Sequence, residues 1–397
     1  MTSSVIRNVR PLGGAAVDVV LTNGKISALR PVNSAEPAES TLIDGQGQLL
    51  LPALVESHCH LDKTLWATSW RPNSAGPTRN HRISNEQTVL KDFKVPMAER
   101  AGPLIEHCIA QGSLYFRSHL DVQTVWGLQH VKDMLALREK YKHLIDIQLV
   151  AFPQGGMLVA PGTVELMVQA LDLGVDVVGG IDPAGIDLDP VRHLETVFGL
   201  AKHHQRGIDI HLHDLGELGR WEIERIADMT ADMGLQGQVM ISHAYAMGAF
   251  PQAELRTLAD RLAELQISIM TCAPPHVTVP PVAMLRSRGV NVCSGSDGIR
   301  DCWSPMGNGD MLERAMLMAL RFNWSKDEDL AAAFDVVTQG GAKALHIPDY
   351  GLDVGCAANL LLIPGENVPD TVLSRSTKRT VVSRGKVVAK DGVFLAS

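Results

Sequence analysis

The stretch LVESHCHLDK, residues 54–63, places two histidines, His58 and His60, at the end of an apolar run. In a β-strand, residues i and i+2 point to the same face, so both imidazoles leave one side of the strand together. Neutral imidazole is a common metal ligand, and the spacing therefore suits a metal site. Two hydrogen-bonded polar groups at a strand end would give the same pattern, so a metal site can be distinguished from a structural pair only with the rest of the sequence.

Seven further apolar, strand-like runs follow along the chain, each succeeded by a helical stretch. The eight runs cover residues 54–60, 113–122, 146–154, 176–183, 207–214, 239–246, 267–275 and 290–298. From the second run onward their starts lie roughly 25–35 residues apart, the size of a βα unit. Near-continuously apolar strands that alternate with helices predict a parallel sheet. Eight repeats favour its closure into a (β/α)8 barrel over an open doubly wound sheet.

The segment PGTVELMVQALDLG, residues 161–174, is typical of the intervening helices. Its apolar residues recur at i, i+3, i+4 and i+7, and Gly174 is suited to end the helix. The connection after the first strand differs, because about 66–98 is long, polar and interrupted by proline and glycine. Such a loop is often a lid or a binding loop.

Both chain ends are rich in strands. VDVVLTNGKISAL near the start and RTVVSRGKVVAKDGVFLA near the end are hairpin patterns. We expect residues 1–52 and 347–397 to form one small β-sandwich domain, and residues 53–346 to form the barrel.

The composition narrows the function classes. The net charge is −8, and the sequence has no clustered basic face of the kind that binds nucleic acid. No apolar run has membrane-spanning length, and the first residues lack the apolar region of a secretory signal. Six scattered cysteines indicate reduced thiols. We therefore expect a cytoplasmic protein without nucleic-acid or membrane partners, and a homo-oligomer that binds a small molecule.

Polar side chains stand at or near the ends of the strand-like runs, where the chemistry of a (β/α)8 barrel is located. In chain order they are His58, His60, His119, Asp121, Gln154, His211, His213, Asp214, His243 and Asp297. Burying unpaired imidazoles and carboxylates is costly, and a metal ion would supply their partners at once. We expect His119 and Asp121 to form a structural pair outside the ligand set.

This arrangement resembles the amidohydrolase superfamily over nearly the whole chain, and most closely its cytosine deaminase-like and isopropylammelide amidohydrolase-like branch. That family places His-x-His on strand 1, His on strands 5 and 6, and Asp on strand 8. The matching residues are His58, His60, His211, His243 and Asp297. The surroundings HCHLD, VAFPQ, SHAYAM and GVNVCSGSDG are similar too.

The resemblance implies one divalent metal ion, Zn2+ or Fe2+, held by His58, His60, His211 and Asp297. Binuclear members usually carry a bridging carboxylated lysine at the end of strand 4, and GGIDPAG contains none. Three imidazoles and a carboxylate suit either ion. Metal-activated water would attack a ring carbon, while Asp297 and His243 take and orient its proton.

The resemblance further assigns the proton shuttle to the carboxylate that follows the strand-5 histidine, which is Asp214 here. The family has Glu at this position, one methylene longer, so Glu217 and Lys63 remain alternatives. Lys63 resembles the lysine of the isopropylammelide branch and is suited to donate a proton or bind a ring carbonyl. Gly298 stands where cytosine deaminase has an Asp.

For substrate binding the sequence points to Gln154, His213 and Trp303. Gln154 in VAFPQ resembles the substrate-binding glutamine of cytosine deaminase. Trp303 is suited to wall a flat heterocycle, although simple packing explains it equally well.

These features predict a metal-dependent hydrolase that removes an amino or substituted amino group from a cytosine-like pyrimidine or a triazine. One alternative is an amidohydrolase that cleaves a cyclic or linear amide, and another is a non-catalytic relative without metal. The missing Pro-Cys-x-x-Cys signature excludes the zinc-finger type of nucleobase deaminase.

Overall fold

A computed structural model describes residues 3–34 and 40–395 of the chain. Its strands are β1 (Ser3–Pro11), β2 (Val17–Thr22), β3 (Lys25–Pro31), β4 (Thr41–Asp44), β5 (Leu49–Pro52), β6 (Leu54–Cys59), β7 (Ser113–Asp121), β8 (Asp146–Phe152), β9 (Val177–Ile181), β10 (Gly207–His211), β11 (Val239–Ser242), β12 (Ser268–Met270), β13 (Val292–Cys293), β14 (Leu360–Ile363), β15 (Thr380–Ser383), β16 (Lys386–Lys390) and β17 (Val393–Phe394).

The helices are α1 (Arg79–Lys91), α2 (Met97–Ala110), α3 (Gln129–Tyr141), α4 (Thr163–Asp172), α5 (Pro190–His204), α6 (Gly216–Met233), α7 (Gln252–Glu264), α8 (Val282–Ser287), α9 (Met311–Phe322), α10 (Asp327–Asp335), α11 (Gln339–Ala344) and α12 (Val368–Ser374). Short 3₁₀ turns lie at Leu61–Lys63 and Tyr245–Ala249. Within the described ranges, none of the helices has the length and apolar character needed to cross a membrane.

Strands β6 to β13 form a parallel sheet in which each strand pairs with the next along the chain. A parallel bridge between Cys59 and Asp297 joins the first strand to the segment after the last. The amide of Asp297 also donates to the carbonyl oxygen of His58 at 2.9 Å. The eight strands therefore make a nearly closed barrel, and the predicted (β/α)8 architecture is confirmed.

Several barrel strands end earlier than their apolar runs predicted. The run 239–246 gives a strand only over Val239–Ser242, and the run 290–298 only over Val292–Cys293. His243 directly follows β11 and adopts a left-handed backbone angle, with φ of 73°. Asp297 stands four residues beyond β13 and is left-handed too, with φ of 63°. Both residues therefore lie in the irregular segments after their strands.

The chain ends form a separate mixed sheet, as expected. Its strands follow the order β17-β16-β15-β14-β5-β1-β2-β3, and β4 pairs with β1. The predicted hairpin between β2 and β3 turns at Asn23 and Gly24, which both have positive φ. Strand β5 ends at Pro52 in this sheet, and β6 begins at Leu54 in the barrel. The exact domain limits 1–52, 347–397 and 53–346 stay predictions.

The long connection after β6 contains helix α1, which the sequence did not predict. Ile83, Val89 and Leu90 are buried, and the carboxyl group of Glu86 is buried among them. The sequence predicts a loop here because the segment is long, polar and interrupted by proline and glycine, and Glu86 adds a charged residue to the buried face of α1. Its function as a lid stays a prediction.

Candidate metal and substrate site

Four buried histidines meet at the C-terminal ends of β6, β7 and β10. They are His58, His60, His119 and His211, and their ring centroids lie between 4.0 and 5.4 Å apart. One nitrogen of each ring lies within 4.8 Å of the others, close enough to hold a metal ion. This group contains three of the four ligands predicted from the sequence.

The fourth predicted ligand, Asp297, belongs to a second group that overlaps the first. This group consists of His58, His243 and Asp297. The Asp297 Oδ1 atom lies 3.3 Å from Nε2 of His60 and 3.8 Å from Nε2 of His58. The two groups share His58, and Asp297 also lies beside His60 of the first group, so the predicted ligands are neighbours at the barrel mouth.

A hydrogen-bond chain beneath His58 fixes the orientation of its ring. The hydroxyl of Ser242 donates to Asp209 at 2.6 Å, and its oxygen lies 3.1 Å from Nδ1 of His58. Because the hydroxyl proton is engaged by Asp209, Ser242 accepts the Nδ1 proton of His58. The lone pair of His58 is therefore on Nε2, the nitrogen that faces the other ligands.

The donor set fits a divalent metal. Burial lowers the pKa of His58 and of His211 well below the usual value, and neighbouring histidines lower it further. Both rings are thus neutral at pH 7. Nε2 of His60 faces Nε2 of His211 at 3.4 Å, and Nε2 of His58 has no hydrogen-bond partner among the described residues. A cation at the centre would satisfy these lone pairs together.

His119 and Asp121 do not form the pair that the sequence suggested. His119 lies 3.4 Å from Asp209, inside the histidine group, whereas Asp121 accepts hydrogen bonds from Gln123 and Trp126. Residues i and i+2 share a face of β7, but their side chains reach different neighbours.

Lys63 is fully buried beside Gln154 and is not a solvated loop residue. Its ammonium group donates to Oε1 of Gln154 and lies 3.5 Å from Glu86 of α1. Burial would lower the pKa of Lys63, but Glu86 and the nearby aspartates Asp121 and Asp62 hold that pKa above its usual range. Lys63 is therefore a cationic donor at neutral pH.

His213 lies at the mouth of the barrel with a carboxylate behind it. Its Nδ1 atom lies 3.1 and 3.0 Å from the two oxygens of Asp182, which follows β9. Its ring stacks on that of His243 with the centroids 4.4 Å apart. Burial would raise the pKa of Asp182, but His213 and Arg79 hold it below its usual range.

Asp214, the predicted proton shuttle, is engaged by other groups. One of its oxygens accepts from Arg79 at 3.1 Å, and the other accepts from the amide of Gly185 at 2.9 Å. The alternative carboxylate, Glu217, is exposed on the first turn of α6. The shuttle role of Asp214 stays a prediction.

The carboxyl group of Asp301 fills the space left by the missing side chain of Gly298. A Cβ atom on Gly298 would lie 2.1 Å from Oδ2 of Asp301. Burial raises the pKa of Asp301 to about 6, although the amides of Ser304 and Trp303 bind the carboxyl and oppose that shift. Trp303 itself packs against the apolar cluster that contains Phe152.

The comparisons with known proteins agree with one another. A profile of the amidohydrolase family matches residues 104–389. The chain belongs to the amidohydrolase family. It is 33% identical over 359 residues to N-isopropylammelide isopropyl amidohydrolase of Pseudomonas sp. (strain ADP), covering 89% of each chain.

Two solved structures resemble this amidohydrolase over almost their full length. N-isopropylammelide isopropylaminohydrolase from Burkholderia multivorans has a TM-score of 0.97 and 39% identity, with 100% of both chains covered. The 5-methylcytosine deaminase from Klebsiella pneumoniae, liganded with 5-fluorocytosine, has a TM-score of 0.87 and 31% identity, with 99% of both chains covered. The predicted family is confirmed, and with it the prediction of a hydrolase that acts on carbon–nitrogen bonds.

Four residues of this amidohydrolase site were missed in the sequence: Arg79, Glu86, Asp182 and Asp301. Asp182 is the last but one residue of the fourth apolar run, 176–183, where the family pattern points only to a bridging lysine. Glu86 lies three residues after Ile83 and three before Val89, so it shares their face of a helix, but this spacing is a signal only once the helix itself is known. Arg79 and Asp301 carried no comparable signal.

Proposed function

We propose that this protein is a metal-dependent aminohydrolase that releases an alkylamine from a dioxo-triazine ring, as in N-isopropylammelide. The observation that carries the proposal is the buried contact of Lys63 with Gln154 beside the histidine group. A cationic donor next to an amide suits a planar ring that bears carbonyl groups. The names of two relatives that cover most of the chain, at 39% and 33% identity, support the same substrate class.

The metal centre in this proposal holds one divalent ion, Zn2+ or Fe2+, with His58, His60, His211 and Asp297 as ligands. Members of the family are generally metal-dependent, and the chain has a histidine and aspartate group able to bind an ion. The end of β9 supports a single ion, because Asp182 there is bound to Arg79 and His213. When bound, such an ion acidifies water and supplies a nucleophile at neutral pH.

Asp297 and His243 are suited to hold and orient the proton of the attacking water. Burial raises the pKa of Asp297, but His60 and His243 more than offset this and hold it well below the usual value, so the carboxylate is ionised. Burial lowers the pKa of His243 to about 3, which leaves its ring neutral and able to accept a hydrogen bond that orients the water. His213, backed by Asp182, is suited to pass a proton toward the leaving amine.

Gln154 and Lys63 bind the ring in this proposal, and Trp303 covers one face of it. Trp303 is half-buried, and its indole N–H has no hydrogen-bond partner among the described residues. Trp303 packs against the cluster that contains Phe152, two residues before Gln154, so stacking on the indole and hydrogen bonding to Gln154 are assigned to the same ring. Both contacts favour flat rings over linear amides.

The test is a substrate panel with metal-loaded protein. Release of ammonia or amine is measured with N-isopropylammelide, ammelide, cytosine, 5-methylcytosine, creatinine and a linear amide. The proposal expects the highest kcat/KM for the alkylamino dioxo-triazine. A higher kcat/KM for cytosine would assign the chain to pyrimidine deamination, and turnover of the linear amide alone would overturn the proposal.

A further inference from the structure

Glu86 is a completely buried carboxyl group on α1 that the mechanism above does not use. Its Oε1 atom accepts a hydrogen bond from Nε2 of Gln154 at 3.0 Å and lies 3.5 Å from the ammonium group of Lys63. Glu86 and Gln154 are 68 positions apart in the chain. Helix α1 therefore brings a carboxyl group to both residues that are proposed to bind the ring.

These contacts allow only one orientation of the Gln154 side-chain amide. The Lys63 ammonium only donates, so the carbonyl oxygen of Gln154 must face it. The amino group of Gln154 then faces Oε1 of Glu86, which accepts. The reversed amide would set two oxygens against each other on one side and two donors on the other. The three side chains form a closed triangle with a fixed polarity.

After these contacts, Lys63 and Gln154 retain a defined set of hydrogen-bonding positions. Lys63 has further N–H groups, while Gln154 has a second lone pair on Oε1 and a second N–H on Nε2. From Lys63 across Gln154, these positions are a donor on Lys63, an acceptor on Oε1 and a donor on Nε2. A ligand that matches them presents an acceptor, a donor and an acceptor in the same order. The imide edge C(=O)–NH–C(=O) of a dioxo ring has this pattern.

We propose that Glu86 is a specificity-determining positioning residue, which holds Lys63 and Gln154 in the polarity that selects an imide edge. The inference rests on the proposed function, since it takes Lys63 and Gln154 as the ring-binding residues. A cytosine-type edge has N–H and one carbonyl but no second carbonyl, so it satisfies Gln154 and leaves the donor of Lys63 without an acceptor. An unpaired buried donor costs affinity.

The experiment compares two flat, neutral ligands that carry no amino group. Uracil has the imide edge, and pyrimidin-2-one has the N–H and a single carbonyl. Dissociation constants are measured by calorimetry on metal-loaded wild type, Glu86→Gln and Thr88→Ala, an exposed position on the same helix. We expect wild type and Thr88→Ala to prefer uracil by about tenfold or more. In Glu86→Gln, uracil should weaken by about tenfold and pyrimidin-2-one by less than about twofold.

Equal weakening of both ligands in Glu86→Gln would show a merely structural role and overturn the inference. An unchanged preference, or a wild type without preference for uracil, would overturn it as well. If Glu86→Gln does not fold, Glu86→Asp keeps the carboxyl group but shortens its reach, and an intermediate preference is then required. If wild type turns over N-isopropylammelide but the ligand preference is unchanged in the variant, this inference is rejected and the proposed function stands. Absence of turnover on every ring rejects the proposed function, whatever the preference.

Discussion

The Nδ1 atom of His213 lies 3.0 Å from a carboxylate oxygen of Asp182. Arg79 binds the same oxygen at 2.7 Å. Asp182 accepts only, so Nδ1 of His213 carries a proton, and Nε2 is the ring nitrogen left to exchange a proton with the site. A carboxylate-backed imidazole beside the metal-binding residues is a second candidate for the proton transfer that the sequence assigned to Asp214.

The first prediction separates His213, Asp214 and Lys63 as proton carriers. We expect His213→Asn to lower kcat by about 100-fold or more at unchanged metal content, since general acid–base catalysis contributes on that order. Asp214→Asn should be milder, because both of its oxygens already accept hydrogen bonds from Arg79 and Gly185. The measurement is steady-state kinetics at equal metal occupancy.

His203→Asn is the matched control, because His203 is exposed at the end of α5 and should leave kcat unchanged. A steeper loss in Asp214→Asn than in His213→Asn would return the shuttle role to Asp214. If Lys63→Met alone cripples kcat, the lysine donates the proton.

The second prediction concerns the ligand set. His58→Ala and His211→Ala should each abolish metal binding and turnover, because both remove a neutral imidazole from the centre of the cluster. His203→Ala should retain both. Metal content of the purified proteins is measured by mass spectrometry, and full metal with full activity in either cluster variant would contradict the assignment.

The third prediction decides between Asp297 and His119 as a ligand. The sequence-derived set contains Asp297, while the four-histidine group contains His119. We expect Asp297→Asn to lose metal affinity and His119→Asn to retain the ion, since Asp209 already lies 3.4 Å from His119. The reverse result in metal titrations would replace Asp297 by His119 in the ligand set.

The barrel was predictable because the strands of a closed parallel sheet are buried on both faces. Every residue of β9 is buried, and its sequence VVGGI has no polar side chain. The polar residues His58, His60, His211 and Asp297 could be recognised as candidate ligands because they lie at or near the ends of such apolar runs. The hairpin at Asn23 and Gly24 was equally local, since two positive φ angles favour those residue types.

The parts that could not be predicted depend on contacts between distant segments. Glu86 interrupts the apolar face of α1, and its burial becomes favourable only once folding brings Lys63 and Gln154 to it. Asp301 occupies the space beside Gly298 through a turn that no pattern in the sequence announces. The end of β11 coincides with the left-handed backbone of His243, a conformation that this residue type does not specify.

The fourth prediction tests Trp303 as the wall of the ring site. The indole packs on a small apolar cluster that includes Phe152 and Ile83, outside the main core. Trp303→Ala should raise KM for the ring substrate by about tenfold and leave kcat within about threefold, since stacking and apolar contact are lost without change at the metal ligands. Trp303→Phe should retain most of the affinity. A large fall in kcat with unchanged KM would contradict a binding role.

The last prediction uses Asp187, a buried carboxylate that holds the loop after Gln154. It accepts from the amides of Met157 and Leu158 at 2.8 and 2.9 Å, and from Nδ1 of His193 at 2.6 Å. Burial raises the pKa of Asp187, but the hydrogen bonds from His193 and from the loop amides lower it by a larger amount, so the net shift is downward. A carboxyl with a lowered folded-state pKa stabilises the fold above its unfolded pKa, about 3.9 for Asp, and loses this contribution as the pH falls through the folded-state pKa.

Asp187→Asn should therefore lower the free energy of unfolding at pH 7, by about 1–3 kcal/mol, because charge-assisted hydrogen bonds to a buried group are lost. The difference between wild type and variant should shrink as the pH falls below about 4, where the Asp187 carboxyl of the unfolded chain begins to take up a proton while the folded one is still ionised. Urea unfolding of the metal-free proteins across this pH range is the measurement. Glu195→Gln, a carboxylate-to-amide change on the exposed face of α5, should show no such pH-dependent difference. A stability difference for Asp187→Asn that stays constant from pH 7 to pH 3 would show that packing, and not the charge of Asp187, holds the loop beside the ring site.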